Sequence, residues 1–281
     1  MEIKKAGFPY LIDMSISTAC PFACQFCYTS STKKGKDAET EFITDLIPAL
    51  FHANVLEVVL GGGEPTLAKD FVWILEHLKG YHFKVGVTTK NYMLHKHERI
   101  DDILENTSSL AFSCNTIEEL QKVKVFRDEL KGKHTRPQIY VQNILGLHDY
   151  EQLKEFLTTA KSMWFDNVTL LGYKDFGFGK NVQPNPIPDE WVDFVKELGI
   201  NIGIDSILAQ RYQKLLIDKG VEDYMLVGAE GKASCYIDAV NKHLKRSSFT
   251  DEFVEMLPPH KRNGFEPETY AEYFLEEFSK L

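Results

Sequence analysis

The chain has 281 residues, 43% hydrophobic and 26% charged, a globular composition that excludes a fibre or a disordered chain. At this length folding buries roughly 75% of the unfolded surface, so the core needs no disulfides. With 32 Lys and Arg against 41 Asp and Glu, the net charge of −9 lacks the electrostatic footprint of a general nucleic-acid or anionic-membrane binder.

In chain order, a strand-like run at Tyr10–Ser17 is followed by Ile43, Leu46, Ile47 and Leu50 at helical spacing. Val55–Leu60 reads as an apolar strand ending in Gly61-Gly62-Gly63; Phe71, Ile74, Leu75 and Leu78 form the next helical stripe, with Gly80 as its stop. Phe83–Thr89 is a strand, Leu110–Ser113 a short one, and a helix runs from about Ile117 to Leu130. Ile139–Ile144, a helix across Tyr150–Met163 and a sixth strand at Val168–Gly172 complete the alternation. Such alternation argues for an α/β fold of parallel strands, in a barrel or an open sheet. Gly177–Pro188 reads as a loop or boundary. Beyond it a strand is expected at Ile200–Ile204, a helix at Ala209–Lys219, a hairpin of Ser234–Ala239 with His243–Ser248, and a tail helix bearing Tyr270, Tyr273, Phe274 and Phe278 on one face. The expected division is a core domain of residues 1–187 and an appended α+β subdomain of 188–281.

No run approaches the ~20 apolar residues of a membrane helix, and Pro9 and Asp13 interrupt any signal-peptide core. The reading is a cytoplasmic protein without membrane or nucleic-acid partners. Three of its five cysteines fall within eight residues, which suggests reduced thiols holding a metal rather than a secreted disulfide framework.

Those three are Cys20, Cys24 and Cys27, directly after the first strand. Thiolates favour iron–sulfur clusters and zinc. A structural zinc site wants four closed ligands, and no fourth Cys or His lies in the loop; a cubane held by three cysteines leaves one iron open.

The Cys-x3-Cys-x2-Cys spacing, with Phe26 before the third Cys, resembles the radical S-adenosylmethionine (SAM) superfamily. So does Gly61-Gly62-Gly63-Glu64-Pro65 after the second strand, which resembles that family's GGE motif. The resemblance spans about residues 8–175. It implies a partial (β/α)6 TIM-like barrel, one 4Fe–4S cluster on the three cysteines, and SAM chelated at the open iron. Its reaction is reductive cleavage to a 5′-deoxyadenosyl radical that abstracts hydrogen from substrate. The glycines permit close backbone approach; Glu64 and the glycine carbonyls would accept hydrogen bonds from the SAM ammonium. Further SAM contacts implied by the resemblance are Thr88 and Asn91 after the third strand, with Lys90 interrupting the relatives' Thr-Asn pair. Ser113, Gln142 or Asn143, and the Leu171 edge follow on the fourth to sixth strands, at the strand ends where ligands sit in such sheets.

On the first strand Ile12, Met14 and Ile16 share one face and Asp13, Ser15 and Ser17 the other. With the apolar face toward helices, Asp13 points into a polar, substrate-sized lumen, paired or wet. Lys174 reaches its mouth. Ile204–Ile207, Glu230–Ile237 and Lys245–Phe249 resemble the SPASM or twitch extension of peptide-modifying relatives. The expected auxiliary-cluster cysteines are replaced by Ile207, Gly228 and Ser247, so a single cluster is expected. Cys235 reads either as a small buried hydrophobe or as a hydrogen-atom donor to a substrate radical; Cys114 reads as structural.

The expectation is an enzyme acting on a peptide or protein side chain. Only 19 residues precede Cys20, so a separate partner would present the peptide; an electron donor such as flavodoxin or ferredoxin would supply electrons. A small metabolite substrate is the alternative. A non-catalytic iron–sulfur protein or a zinc-stabilised module are the rival classes.

Overall fold

The computed structural model describes residues 5–133, 137–165, 167–221, 230–256 and 266–281. Its strands are β1 (Leu11–Ser17), β2 (Glu57–Gly62), β3 (Lys84–Thr89), β4 (Ser109–Ser113), β5 (Gln138–Ile144), β6 (Asn167–Leu171), β7 (Asn201–Ile204), β8 (Ser234–Asp238), β9 (His243–Lys245) and β10 (Val254–Glu255). They form one ten-stranded sheet in the order β10-β9-β8-β1-β2-β3-β4-β5-β6-β7. Neighbours from β8 through β1 to β7 pair in parallel, and only the β8–β9–β10 edge is antiparallel.

The helices are α1 (Thr40–His52), α2 (Phe71–Gly80), α3 (Ile100–Asn106), α4 (Ile117–Glu129), α5 (Tyr150–Ser162), α6 (Trp191–Leu198), α7 (Ser206–Arg211), α8 (Gln213–Asp218) and α9 (Pro267–Lys280). The α/β alternation makes a partial TIM-like barrel, with the antiparallel strands at its C-terminal edge. None of the described helices is long and apolar enough to cross a membrane.

Side-chain alternation sorts each strand between two environments. Ile12, Met14, Ile16, Val58, Leu60, Val85, Val87, Leu110, Phe112, Val141, Val168 and Leu170 are all buried in the apolar core. At roughly 25 cal/mol per Å² of apolar surface removed from water, this layer is the main favourable term holding helices to sheet. The opposite faces are mostly polar or small. Val59 pairs with Asp13 and Gly86, Thr88 with Ala111, and Gln142 with Ser113 and Thr169. That contrast makes the concave face a lumen.

Two helices escaped the sequence reading. α3 has seven residues and buries only Ile103 and Leu104, too short for a 3.6-residue stripe to repeat. α6 buries Trp191 and Val192, adjacent positions, and stops at Gly199 in the left-handed conformation, φ 62°. The boundary at residue 187 separates no sheets: β7 extends the core from β6, and β8 pairs with β1. The expected hairpin is present as β8 and β9, and the tail helix α9 buries Tyr270, Phe274 and Phe278.

Candidate active site

The cysteine loop leaves the C-terminal end of β1 and is wound on itself. The Cys20 N–H donates to Thr32 O (2.9 Å), Cys27 N–H to Cys24 O (3.2 Å), and Phe178 N–H to Cys27 O (2.9 Å). Ala23 (φ 50°) and Ser30 (φ 55°) adopt the left-handed conformation, uncommon away from glycine and a sign of a tightly turned loop. The segment read as a plain loop is part of this assembly. Gly177 (φ +52°) lies so close that a Cβ would sit 2.4 Å from Tyr28 O.

The glycine turn after β2 is stitched to the same loop. Gly63 N–H donates to Ser17 O (2.6 Å) and Glu64 N–H to Ala19 O (2.8 Å). Gly62 has φ +120° and a Cβ there would meet Ser17 O at 2.3 Å; at Gly63 a Cβ would meet Ala19 O at 2.2 Å. A Cβ on Gly61, in contrast, would meet nothing within 4 Å, so its missing side chain keeps space open.

Glu64 is 1% exposed. Its carboxylate accepts from Thr66 N–H (3.2 Å), Thr66 Oγ1 (2.7 Å), Thr89 Oγ1 (2.6 Å) and Lys90 N–H (2.8 Å). Burial raises its pKa against the pull of these donors. Glu64 therefore ties the β2 turn to the end of β3, a role that spacing alone does not reveal. Lys90 continues from that knot. Its ammonium lies 2.6 Å from Glu119 Oε1, 3.8 Å from Cys24 Sγ and 5.9 Å from the Phe26 ring centroid. Burial disfavours the charged amine, but Glu119 and Cys24 outweigh it and raise the pKa.

These groups border one cavity of about 360 Å³, lined on one side by Cys20, Cys24, Cys27, Phe26 and Gly61–Glu64. Thr88, Ser113, Gln142 and Leu171 join the lining from successive strands, and Asp13 and Lys174 from the lumen. All five cysteines are free thiols. Burial pushes the thiols of Cys20 and Cys24 up.

Two expected site residues, Asn143 and Asn91, do not line the cavity, and a third, Cys235, sits at its edge. Asn143 is the register partner of Leu170 on the helix-facing row and donates to Cys114 O (3.2 Å); of the pair, Gln142 lines the cavity. Asn91 is spent on protein partners, donating from Nδ2 across to Thr66 Oγ1 after β2 (3.0 Å) and accepting from Met93 N–H in its own turn (3.2 Å), and Asn115 borders the cavity instead. Cys235 borders the cavity but pairs with Ile12, so alternation assigns its side chain to the apolar layer, where it is 1% exposed. That placement is the one a small buried hydrophobe takes, and its position at the cavity edge is the one the hydrogen-donor role requires. Of the positions matched to auxiliary-cluster cysteines, Ile207 packs against Gly172, Ser247 lines the cavity, and Gly228 lies outside the described residues.

The far wall holds groups the sequence left unassigned. Tyr236 is the register partner of Asp13 and faces the lumen with it. Glu230, held by Ser206, and Asp205, which caps α7 and accepts from Gly172 N–H (2.9 Å), also line the cavity. The Asp13 side chain is exposed to lumen solvent, with the walls of the lumen crowded around it. That desolvation, opposed by Lys174, raises its carboxyl to about 6. Lys174 lies 4.3 Å from the Tyr28 ring centroid and 5.1 Å from that of Phe249.

The family model of the Radical SAM superfamily matches residues 14–173, from β1 to just past β6. The chain belongs to the radical SAM superfamily. A protein of Methanocaldococcus jannaschii, provisionally named a glycyl-radical enzyme activating enzyme, is 25% identical over 189 residues, 62% of this chain and 71% of that protein. The GTP 3′,8-cyclase of Vibrio cholerae is 32% identical over 96 residues, covering 31% of this chain but only 28% of the cyclase. Streptococcus suis SuiB bound to its precursor peptide SuiA has the same fold, with a TM-score of 0.67 at 15% identity, covering 96% of this chain and 67% of SuiB.

For a radical SAM protein the donor set fits its cluster. Three free thiols border one cavity beside the open space at Gly61. Among the described residues no three His, Cys, Asp or Glu side chains are placed around a single ion. A cubane, in which each thiolate takes a different iron, makes no such demand.

Proposed function

We propose that Cys20, Cys24 and Cys27 hold one 4Fe–4S cluster, that SAM binds along Gly61–Glu64, Thr88, Ser113, Gln142 and Leu171, and that the substrate is a peptide or protein side chain entering the lumen. When bound, the cluster and SAM supply the 5′-deoxyadenosyl radical that takes hydrogen from the substrate; the electron comes from a donor of the flavodoxin or ferredoxin class. The observation that carries the reading is that the cysteine loop and the Gly61–Glu64 turn, hydrogen-bonded to each other, border one cavity.

The chain's own residues bind and orient. Phe26 shields the cluster loop, and the glycine carbonyls accept from the SAM ammonium. Glu64 positions that edge rather than competing for the ligand, because its oxygens already take four donors. Asp13, Glu230 and Lys174 orient the substrate by charge, with Asp13 available to take a proton near neutral pH. A single cluster is supported by Cys114 and Cys235, the remaining cysteines, both being buried. Free thiols and a cluster of this kind suit the cytoplasm.

The peptide reading draws on the shared fold with SuiB. The small-metabolite alternative draws on the cyclase likeness, which covers too little of that enzyme to favour its substrate. Anaerobic reconstitution followed by dithionite is the test. The proposal expects about four irons per chain and 5′-deoxyadenosine by mass spectrometry. Iron without SAM binding or cleavage would leave a non-catalytic iron–sulfur protein, and zinc without iron a structural module. Peptide and metabolite libraries, scored for mass change after turnover, separate the substrate classes.

A further inference from the structure

Lys90 stands where the superfamily resemblance calls for no cation, and the structure gives it a built position. Its backbone N–H donates to Glu64 Oε2 (2.8 Å), which fixes the start of the side chain. Its ammonium is then held at 2.6 Å from Glu119 Oε1. Glu119 is itself immobilised. It sits three residues after Thr116, the N-cap of α4, whose side chain accepts from Glu119 N–H (3.2 Å), and Glu119 Oε2 in turn accepts from Asn115 N–H (2.7 Å). Both side chains are largely buried, Lys90 at 21% and Glu119 at 16% exposure. The Lys90 ammonium also lies 3.8 Å from Cys24 Sγ, within reach of a hydrogen bond to sulfur.

A surface salt bridge would contribute little and would be screened. This one sits where water is scarce and the partner is a sulfur that will carry charge. Cluster potentials respond to net charge, to hydrogen bonds on the sulfurs and to solvent exposure. A cation beside one ligand favours the more negative, reduced state. Glu119 opposes that effect, but of the pair it is the ammonium that faces the Cys24 sulfur, with Glu119 bound to the ammonium.

We propose that Lys90, anchored by Glu119, is a positioning residue that places a fixed positive charge and an N–H donor on the Cys24 sulfur and so raises the potential at which the cluster accepts its electron. The inference rests on the cluster reading above. The balance is simple: the oxidised cluster gains one electron from a flavodoxin- or ferredoxin-class donor, no bond forms or breaks, and Lys90 keeps its proton throughout. The consequence is that a moderate cellular reductant suffices to arm this site.

The test is an anaerobic redox titration of the reconstituted protein, read by electron paramagnetic resonance, on wild type, Lys90→Met and Lys90→Arg, with iron and sulfide measured on each. At the wild-type midpoint, Lys90→Met is expected to hold about tenfold less reduced relative to oxidised cluster, ~59 mV for a one-electron couple. Lys90→Arg, which keeps charge and donor, is expected to stay within about threefold of wild type, under one-half of that shift on the same scale. A Lys90→Met protein with full iron and an unmoved midpoint overturns the proposal. If Lys90→Met does not take up iron, Lys90→Gln decides by the same two outcomes. Wild type without any cluster signal would remove the functional reading itself, a result distinct from an unmoved midpoint.

Discussion

The two sides of the cavity are built on opposite principles. On the β1–β3 side, polar groups are consumed: Glu64 takes four hydrogen bonds, and Gly62 and Gly63 leave no room for a Cβ. On the far wall Asp13 and Lys174 face the lumen with no salt bridge to each other or to Glu230 among the described residues, and Asp13 ionises with difficulty. The first side is preorganised for a ligand that is always the same. The second is an electrostatically unfinished surface, at a standing cost to the fold, as the proposed substrate role requires.

The comparison is broken most directly at the cysteines. Replacing Cys20, Cys24 or Cys27 with Ala is expected to reduce 5′-deoxyadenosine formation to background in a dithionite assay, while circular dichroism of the apoprotein stays unchanged. Gly63→Ala comes next. Its Cβ would lie 2.2 Å from Ala19 O, and urea unfolding should show a loss of about 3 kcal/mol. Glu64→Ala strands the buried donors of Thr66, Thr89 and Lys90, a loss of about 2 kcal/mol, with SAM affinity by calorimetry falling in parallel.

Asp13→Asn should act in the reverse sense. The folded carboxyl titrates at about 6 against 3.8 in a model peptide. The folded state thus holds its proton more tightly, and ionisation penalises the fold progressively from about pH 4 to about pH 6 and fully above. The variant should melt higher than wild type at pH 7.5, with the difference vanishing near pH 4, and should bind SAM within about threefold of wild type, under 0.7 kcal/mol. An unchanged melting difference across that range would show that Asp13 is not strained. The smallest effect belongs to Cys235→Ala. A buried thiol on the helix-facing layer costs ~1 kcal/mol to truncate, and product identity by mass spectrometry should not change; altered product stereochemistry would establish the hydrogen-donor role.

Much of this is legible in the sequence. The strand–helix alternation reads directly from apolar periodicity, and the Cys20–Cys27 and Gly61–Glu64 segments lie at strand ends that parallel topology must bring to one rim. Asp13 belongs to the lumen because Ile12, Met14 and Ile16 face the helices. The same alternation, applied through the β1–β8 pairing, would have sent Cys235 the other way, but that pairing joins residues more than 200 positions apart and no local pattern announces it. Asn143 and Asn91 failed for a related reason. A polar residue near a strand end has an inward or an outward choice, and a donor can be spent on a neighbouring segment, as that of Asn91 is on Thr66.

The sequence by itself determined the class of chemistry, because three closely spaced thiols and a glycine turn are local features whose spacing is covalent. It also determined the α/β alternation, because burial of apolar residues on a helix or strand repeats with a fixed period. Only the tertiary structure decided that Glu64 is a tie, that Lys90 rests on Cys24, and that β8 closes the lumen beside Asp13. Each of those depends on groups from distant segments meeting within a few ångströms, a distance set by register and packing rather than by position along the chain.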